Sequence, residues 1–137
     1  MASPEAFDVV VQQIADQWGG LTDVVFENDP YELPDTPTEF VYVEVFGDFF
    51  DQVSIGAELR DENLWREAGQ IYLHVMTPNS TGSRRARVLA KQLVGMFRGQ
   101  DIDSVTFRDA SIGAGDPGRT FANYYAMTAT VNFERDE

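Results

Sequence analysis

Few residues in this chain have the types and spacing that chemistry requires. The string GAGDPG, residues 113–118, matches G-x-G-x-x-G, the dinucleotide fingerprint whose glycines let a pyrophosphate approach the backbone at a helix start. TPNSTGSRRAR, residues 77–87, sets small residues and Gly82 ahead of three arginines, an arrangement suited to an anion at a helix N-terminus. Asp101 and Asp103 form a D-x-D that a divalent cation would accept. His74 is the single histidine, and cysteine is absent. Thiolate metal sites, thiol nucleophiles and disulfides are therefore excluded.

Whether any of these groups acts depends on the elements that carry it. Ser3-Pro4 is a helix start, an N-cap followed by proline in the first turn. Phe7, Val10, Val11, Ile14 and Trp18 follow at helical spacing, and Gly19-Gly20 ends the stripe. Residues 24–27 read as a short strand. The stretch NDPYELPDTPTE carries Pro30, Pro34 and Pro37, and no regular element survives three prolines at that spacing, so it is expected to be an extended connector. Residues 39–47 are rich in β-branched and aromatic side chains and predict a strand, with weaker strands at 52–58 and from Trp65 to Met76.

The second helix has the clearest signal. Ala86, Leu89, Ala90, Leu93, Val94 and Phe97 recur with helical period while Arg84, Arg85, Arg87, Lys91 and Arg98 occupy the other faces, and Gly99 is the expected stop. Two strands, at about 103–111 and 119–134, close the chain; Phe121, Tyr125, Met127, Ala129, Val131 and Phe133 share one parity in the last of them. The predicted order is α-β-β-β-β-α-β-β. Strands that follow one another without helices favour antiparallel pairing, so residues 1–137 are expected to form one α+β domain: a mostly antiparallel sheet with two amphipathic helices on one face.

Against that frame the chemistry recedes. The glycines of 113–118 precede a period-two strand that ends the chain, with no room for the rest of a βαβ unit. They predict a hairpin tip instead of a dinucleotide loop. Residues 77–87 lack the second glycine and the Lys-Ser/Thr pair of a P-loop, so Ser80, Thr81 or Ser83 is expected simply to cap the helix. His74 lies within a strand between Leu73 and Val75, which favours a structural role, and the D-x-D falls at a helix–strand junction where turns collect aspartate. Neither G-x-S-x-G nor H-E-x-x-H occurs. No catalytic, cofactor or metal site is predicted.

Charge is the other strong signal. The net charge is -13, and residues 1–79 hold 16 of the 23 acidic residues with only Arg60 and Arg66 against them. Such a field repels phosphates and opposes non-specific nucleic-acid binding. MASPEAFD has no basic-then-apolar leader pattern and no apolar run reaches a membrane span, so the expectation is a soluble, unprocessed protein without membrane contact.

IYLHVMTPNSTGSRRARVLAKQLVGMF, with its small-residue loop, Gly82 and the A-x-x-L-A pattern of Ala86, Leu89 and Ala90, resembles the tail-terminator proteins of long-tailed, siphovirus-type bacteriophages. FENDPYELPDTPTEFVYVEV, an Asn-x-Pro turn and a proline-rich connector leading into a strand, is similar to the N-terminal half of the same family. The resemblance spans about residues 5–134. It implies a structural virion protein, made in the host cytoplasm, that forms a homo-hexameric ring at the head-proximal end of the tail tube. That ring ends tube polymerisation and offers the head-joining surface, with the tube protein and a head–tail connector or neck protein as partners. The family has no catalytic residues, and DNA passes through without specific binding. A second reading of the resemblance is another neck component, a head–tail joining or tail completion protein.

A closed ring needs two unlike surfaces on each subunit. The expected pair is Arg84, Arg85 and Arg87 against acidic residues of the neighbour within 27–39, Glu27, Asp29 and Glu32 among them. Asp48 and Asp51, near an expected turn at DFFD, are predicted to face the channel or its rim. The tip bearing Gly113, Gly115, Asp116 and Gly118, together with the proline-rich connector, is predicted to order on contact with the tube or a neck protein.

Overall fold

The computed structural model describes residues 3–117 and 123–137. The elements in chain order are α1 (Pro4–Gln17), β1 (Asp23–Phe26), β2 (Phe40–Gln52), a 3-10 turn (Arg60–Glu62), β3 (Trp65–Pro78), α2 (Arg84–Phe97), β4 (Asp101–Ile102), β5 (Val105–Pro117) and β6 (Tyr124–Asp136). Six strands form one sheet in the order β1-β2-β3-β6-β5-β4, antiparallel except where β1 runs parallel to β2. The α+β class, the mostly antiparallel sheet and the two helices on one face all agree with the expectation.

The detail of the order differs. Residues 52–58 do not form a strand of their own. Instead β2 runs on through DFFD as far as Gln52, so Asp48 and Asp51 sit in a strand and not beside a turn. Register slips between Gly47 and Phe49, leaving Asp48 as the extra residue of a bulge. A bulge absorbs an unpaired residue without ending the ladder, which is why an acid between Gly47 and Phe49 does not break the strand. After α2 there are three strands, because the D-x-D builds a tight hairpin. Ile102 pairs with Val105, and Asp103 takes the left-handed conformation (φ 52°) that such a turn needs.

Alternation fixes the core. Val41, Val43 and Val45 of β2, Ile71, Leu73 and Val75 of β3, and Met127, Ala129, Val131 and Phe133 of β6 point to one face and meet both helices. From α1 come Ala6, Val9, Val10, Ile14 and Trp18; from α2 come Ala86, Leu89, Ala90, Leu93, Val94 and Phe97. Burying Leu89, Leu93 and Phe97 completely stabilises the docking of α2 by roughly 1.5–3 kcal/mol each. No helix among the described residues is long and apolar enough to cross a membrane.

The opposite face is covered at one end only. There Phe40, Met76, Tyr124 and Ala126 form a second cluster, which Tyr31 of the proline-rich connector closes by packing on Phe40 with ring centroids 5.0 Å apart. A parallel β1–β2 pair requires a long connection, and the connector supplies it by crossing this face.

Two devices hold the other end of the sheet. Gly69 lies opposite Gly47 beside the bulge, and a Cβ at Gly69 would stand 2.0 Å from the Phe46 carbonyl oxygen, so no larger residue fits. Buried Glu67 and Arg135 pair at 2.8 Å on the helix side. The Glu67 carboxylate also accepts from the Ser3 N–H at 3.1 Å and from the Ser3 hydroxyl. Ser3 in turn caps α1, accepting from the Ala6 N–H at 3.3 Å, so one carboxylate ties the start of the first helix to the centre of the sheet. Burial pushes the Glu67 carboxyl up, but the hydrogen bonds from Ser3 and Arg135 outweigh it and hold the group below its ordinary value.

Candidate functional site

The residues nominated for chemistry are engaged structurally. Gly113 to Pro117 belong to β5, with Gly115 opposite Met127, Asp116 opposite Ala126 and Pro117 opposite Tyr125. The expected hairpin tip therefore does not begin at Gly113. Extra residues at two register slips, between Phe107 and Ala110 and between Ile112 and Gly115, let the glycine-rich stretch stay on the ladder. Gly118 lies outside the described residues. The next described element is the strand β6 and not the helix that a dinucleotide fingerprint requires.

His74 sits mid-sheet on the open face, between Tyr42 and Thr128 in register. Its Nε2 is 2.6 Å from a Glu44 oxygen and its Nδ1 2.7 Å from the Thr128 hydroxyl, while Tyr72 stacks beside it at 6.3 Å. Carboxylate, imidazole and hydroxyl in a row have the composition of a catalytic triad. Here the three residues in register, Tyr42, His74 and Thr128, lie within the β2–β3–β6 ladders, which hold His74 in the middle of the sheet. Among the described residues no group of three or more His, Cys, Asp or Glu side chains could hold a metal ion.

The 77–87 turn bends through two left-handed residues, Ser80 (φ 68°) and Gly82 (φ 79°). Ser83 occupies the N-cap position of α2 but makes no capping hydrogen bond, and Thr81 donates back to the Pro78 carbonyl at 2.7 Å. The expected cap is thus missing because Ser83 has helical backbone angles (φ -106°, ψ -6°), which turn its hydroxyl away from the first-turn N–H groups.

The three arginines divide. Arg85 pairs with Glu39 of its own chain at 2.8 Å, and the hydrogen bond to that carboxylate holds its guanidinium above the ordinary value. Arg84 and Arg87 are exposed and have no carboxylate partner among the described residues. The acidic set divides likewise: half-buried Glu27 accepts from the Val45 N–H at 3.4 Å, whereas Asp29 and Glu32 are exposed. Arg85, Glu27 and Glu39 therefore have partners within the subunit, whereas Arg84, Arg87, Asp29 and Glu32 are exposed. Asp48 and Asp51 are exposed. Asp51 stands opposite Arg66 in register, but the Arg66 guanidinium clasps Asp136 through bonds of 2.7 and 2.9 Å.

Two surfaces stand out, an apolar one not anticipated from the sequence and a cationic one that extends the expected Arg84–Arg87 cluster along α2. Among the described residues, seven of the ten exposed large hydrophobic ones lie within 46–64: Phe46, Phe49, Phe50, Val53, Ile55, Leu59 and Leu64, with Ile55 91% exposed. They belong to the second half of β2, which has no β1 beside it, and to the loop that joins β2 to β3; together these form an arm at one edge of the sheet. The loop is internally tied. The Val53 N–H donates to the Leu64 carbonyl at 2.8 Å, the Leu64 N–H to the Ser54 hydroxyl at 2.6 Å and the Ala57 N–H to buried Asn63 at 3.0 Å. Its apolar side chains are thus presented outward by an ordered frame. Consecutive Phe49-Phe50 was the available signal, since a strand with one wet face does not place two phenylalanines in a row.

The second surface is the solvent face of α2. Residues 84–98 carry five cations and no carboxylate. Arg84, Arg87, Lys91 and Arg98 fall on one helical face, and all four are exposed. The row ends in an open cleft of 740 Å³ lined by Arg98, Gly99, Asp101 and residues 106–110 of β5. Arm and cleft lie at the same end of the sheet, since Gln52 of β2 and Val105 of β5 are both at that end, and on opposite edges.

No family model matches the chain, and no curated protein matches it. Among solved structures 27 chains do. One of them, a protein designated only by a sequence number, superposes with a TM-score of 0.62 at 17% identity over 94% of each chain. Identity at that level establishes a shared fold across the whole chain and carries no function with it.

Proposed function

We propose that this chain is a structural subunit of a hexameric ring at the head-proximal end of a long-tailed phage tail, where it ends tube polymerisation and offers the surface to which the head is joined. The resemblance of residues 5–134 to tail terminators supplies the role. The observation that carries it on this molecule is the separation of unlike surfaces: carboxylates and exposed apolar residues gather on the β1–β2 side, and a row of exposed cations, Arg84, Arg87, Lys91 and Arg98, lies on α2. Head-to-tail association around a closed ring requires such a pair, whereas a two-fold dimer or an enzyme pocket does not. Arg84 and Arg87 facing Asp29 and Glu32 of a neighbour remain part of this reading. So do Asp48 and Asp51 at the channel or its rim, where like charge repels the passing DNA and keeps it unbound. Partners are further copies of the chain, the tube protein and a head–tail connector, in the virion.

Tail length in phage assembled without this protein tests the role. Overlong, headless tails are the expected outcome. Tails of normal length that fail to join heads would overturn it in favour of a head–tail joining or completion protein.

A further inference from the structure

We infer that the β2–β3 arm of one subunit seats in the cleft at the foot of α2 in the next, so that Ile55 and Leu59 cover the cleft floor while the arm's carboxylates meet Arg98 and Arg108. The inference rests on the ring reading above and deepens it by naming the two surfaces that join.

Four observations converge on a second copy as the occupant. The arm exposes a concentrated apolar surface, and exposed patches of this kind on a water-soluble face mark contact sites. Charge is complementary along the helix: residues 48–62 hold five carboxylates against Arg60, whereas α2 and its C-terminal residue hold five cations and no carboxylate, and the cleft itself sets Arg98 and Arg108 beside Asp101 and Asp109. Within its own chain Arg98 has no carboxylate partner among the described residues, and Arg108 has Glu134. Placement agrees as well, because arm and cleft sit at one end of the sheet on opposite edges. A rotation about an axis roughly along the strands then brings one against the other and repeats until it closes. Finally, the internal hydrogen bonds of the arm's loop fix it before contact, which lowers the ordering cost of association. Duplex DNA is the other partner that a row of arginines suggests, but the net charge of -13 opposes it.

The lack of cysteine makes the test direct, since any disulfide must come from introduced residues. Ile55→Cys combined with Gln100→Cys, which is exposed beside the cleft, should yield on mild oxidation a ladder of covalent multimers ending at one closed species. Ile55→Cys with Arg84→Cys, at the far end of α2 and about 20 Å away, should not. In parallel, Ile55→Asp/Leu59→Asp and Arg98→Glu should each raise the concentration for half-assembly about tenfold or more, as loss of a central contact does. Because one variant keeps its cleft and the other its arm, their equimolar mixture should stop at a dimer of two 15.4 kDa chains. If the wild-type chain forms a ring and the Ile55→Cys/Gln100→Cys variant gives no ladder on oxidation, the docking is overturned and the ring stands. If the wild-type chain stays monomeric at every concentration and the double-cysteine variant gives no ladder, both are overturned. Arg98→Glu that weakens retention of a duplex oligonucleotide and leaves assembly unchanged overturns the docking in favour of nucleic acid.

Discussion

Glu67→Gln probes the joint between the first helix and the sheet. The substitution keeps the volume of the side chain and removes its charge, so it opens no cavity. What it changes is a carboxylate 3% exposed that faces Arg135, itself 6% exposed, and receives both the N–H and the hydroxyl of Ser3. Removing one partner of a buried ion pair typically costs about 3–5 kcal/mol. Two features reduce that here: Arg135 retains Glu137, and Glu5 lies 3.9 Å away, both carboxylates more than half exposed, and the new amide oxygen still accepts one hydrogen bond. A loss of about 2 kcal/mol is expected, which for a domain of this length lowers Tm by about 7 °C. The pH dependence follows from the sign of the shift. Glu67 is held below its ordinary value of 4.5 in the folded chain, so its contribution is complete above that pH and disappears as pH falls through the folded value. The gap between wild type and Glu67→Gln, followed by urea unfolding from pH 7 to pH 3, should therefore narrow. A variant within about 0.5 kcal/mol of wild type at pH 7, or a gap that stays constant down to pH 3, would refute the argument that this pair anchors α1.

Gly69→Ala should destabilise by about 1–3 kcal/mol or more, because its methyl would meet the Phe46 carbonyl oxygen at 2.0 Å and the Phe133 ring at 2.9 Å. Urea unfolding with no change in midpoint would show that the Gly47–Gly69 pair is not closely packed. Two helix-start serines should behave differently in the same assay. Ser3→Ala loses both the cap and the link to Glu67 and should cost about 1–2 kcal/mol, whereas Ser83→Ala removes a hydroxyl that caps nothing and should cost under about 0.5 kcal/mol. Equal losses at the two sites would contradict the geometry.

Elements covered on one face were legible in the sequence because their burial is periodic. Both helices ended close to where Gly19 and Gly99 predict, and β3 and β6 were recognisable from alternation over more than ten residues. The stripe of α1 is rotated from its expected face, with Ala6 and Val9 buried and Phe7 and Val11 only half-buried, since an alanine at the helix start gives little signal. The errors fell where the ladder is irregular. Asp48 in its bulge looked like the start of a turn, and the slips in β5 made a paired strand of a sequence that reads as a glycine loop. Partnerships across the fold were also invisible. Nothing near Arg85 in sequence announces Glu39, 46 residues away, so a cation spoken for within the chain could not be told from Arg84, which is not.

The same irregularity bears on what the arm is for. A strand with one face on the core and one in water alternates, and β2 does so from Phe40 to Val45. Past the bulge it abandons the pattern: Phe49 and Phe50 point to opposite sides of the hairpin, and both are nearly half exposed. Consecutive apolar residues are the signature of a strand buried on both faces, and the described residues cover each phenylalanine only by about half. The bulge itself argues against edge-to-edge pairing as the remedy, since an extra residue interrupts the row of backbone donors and acceptors that a new strand would need. The missing cover must therefore come through side chains, and a partner surface with a floor to receive Ile55 and cations to meet the arm's carboxylates satisfies both requirements. The cleft at the foot of α2 has these two properties on the opposite edge of the same fold, so a chain that looks unfinished at one edge carries what completes it at the other.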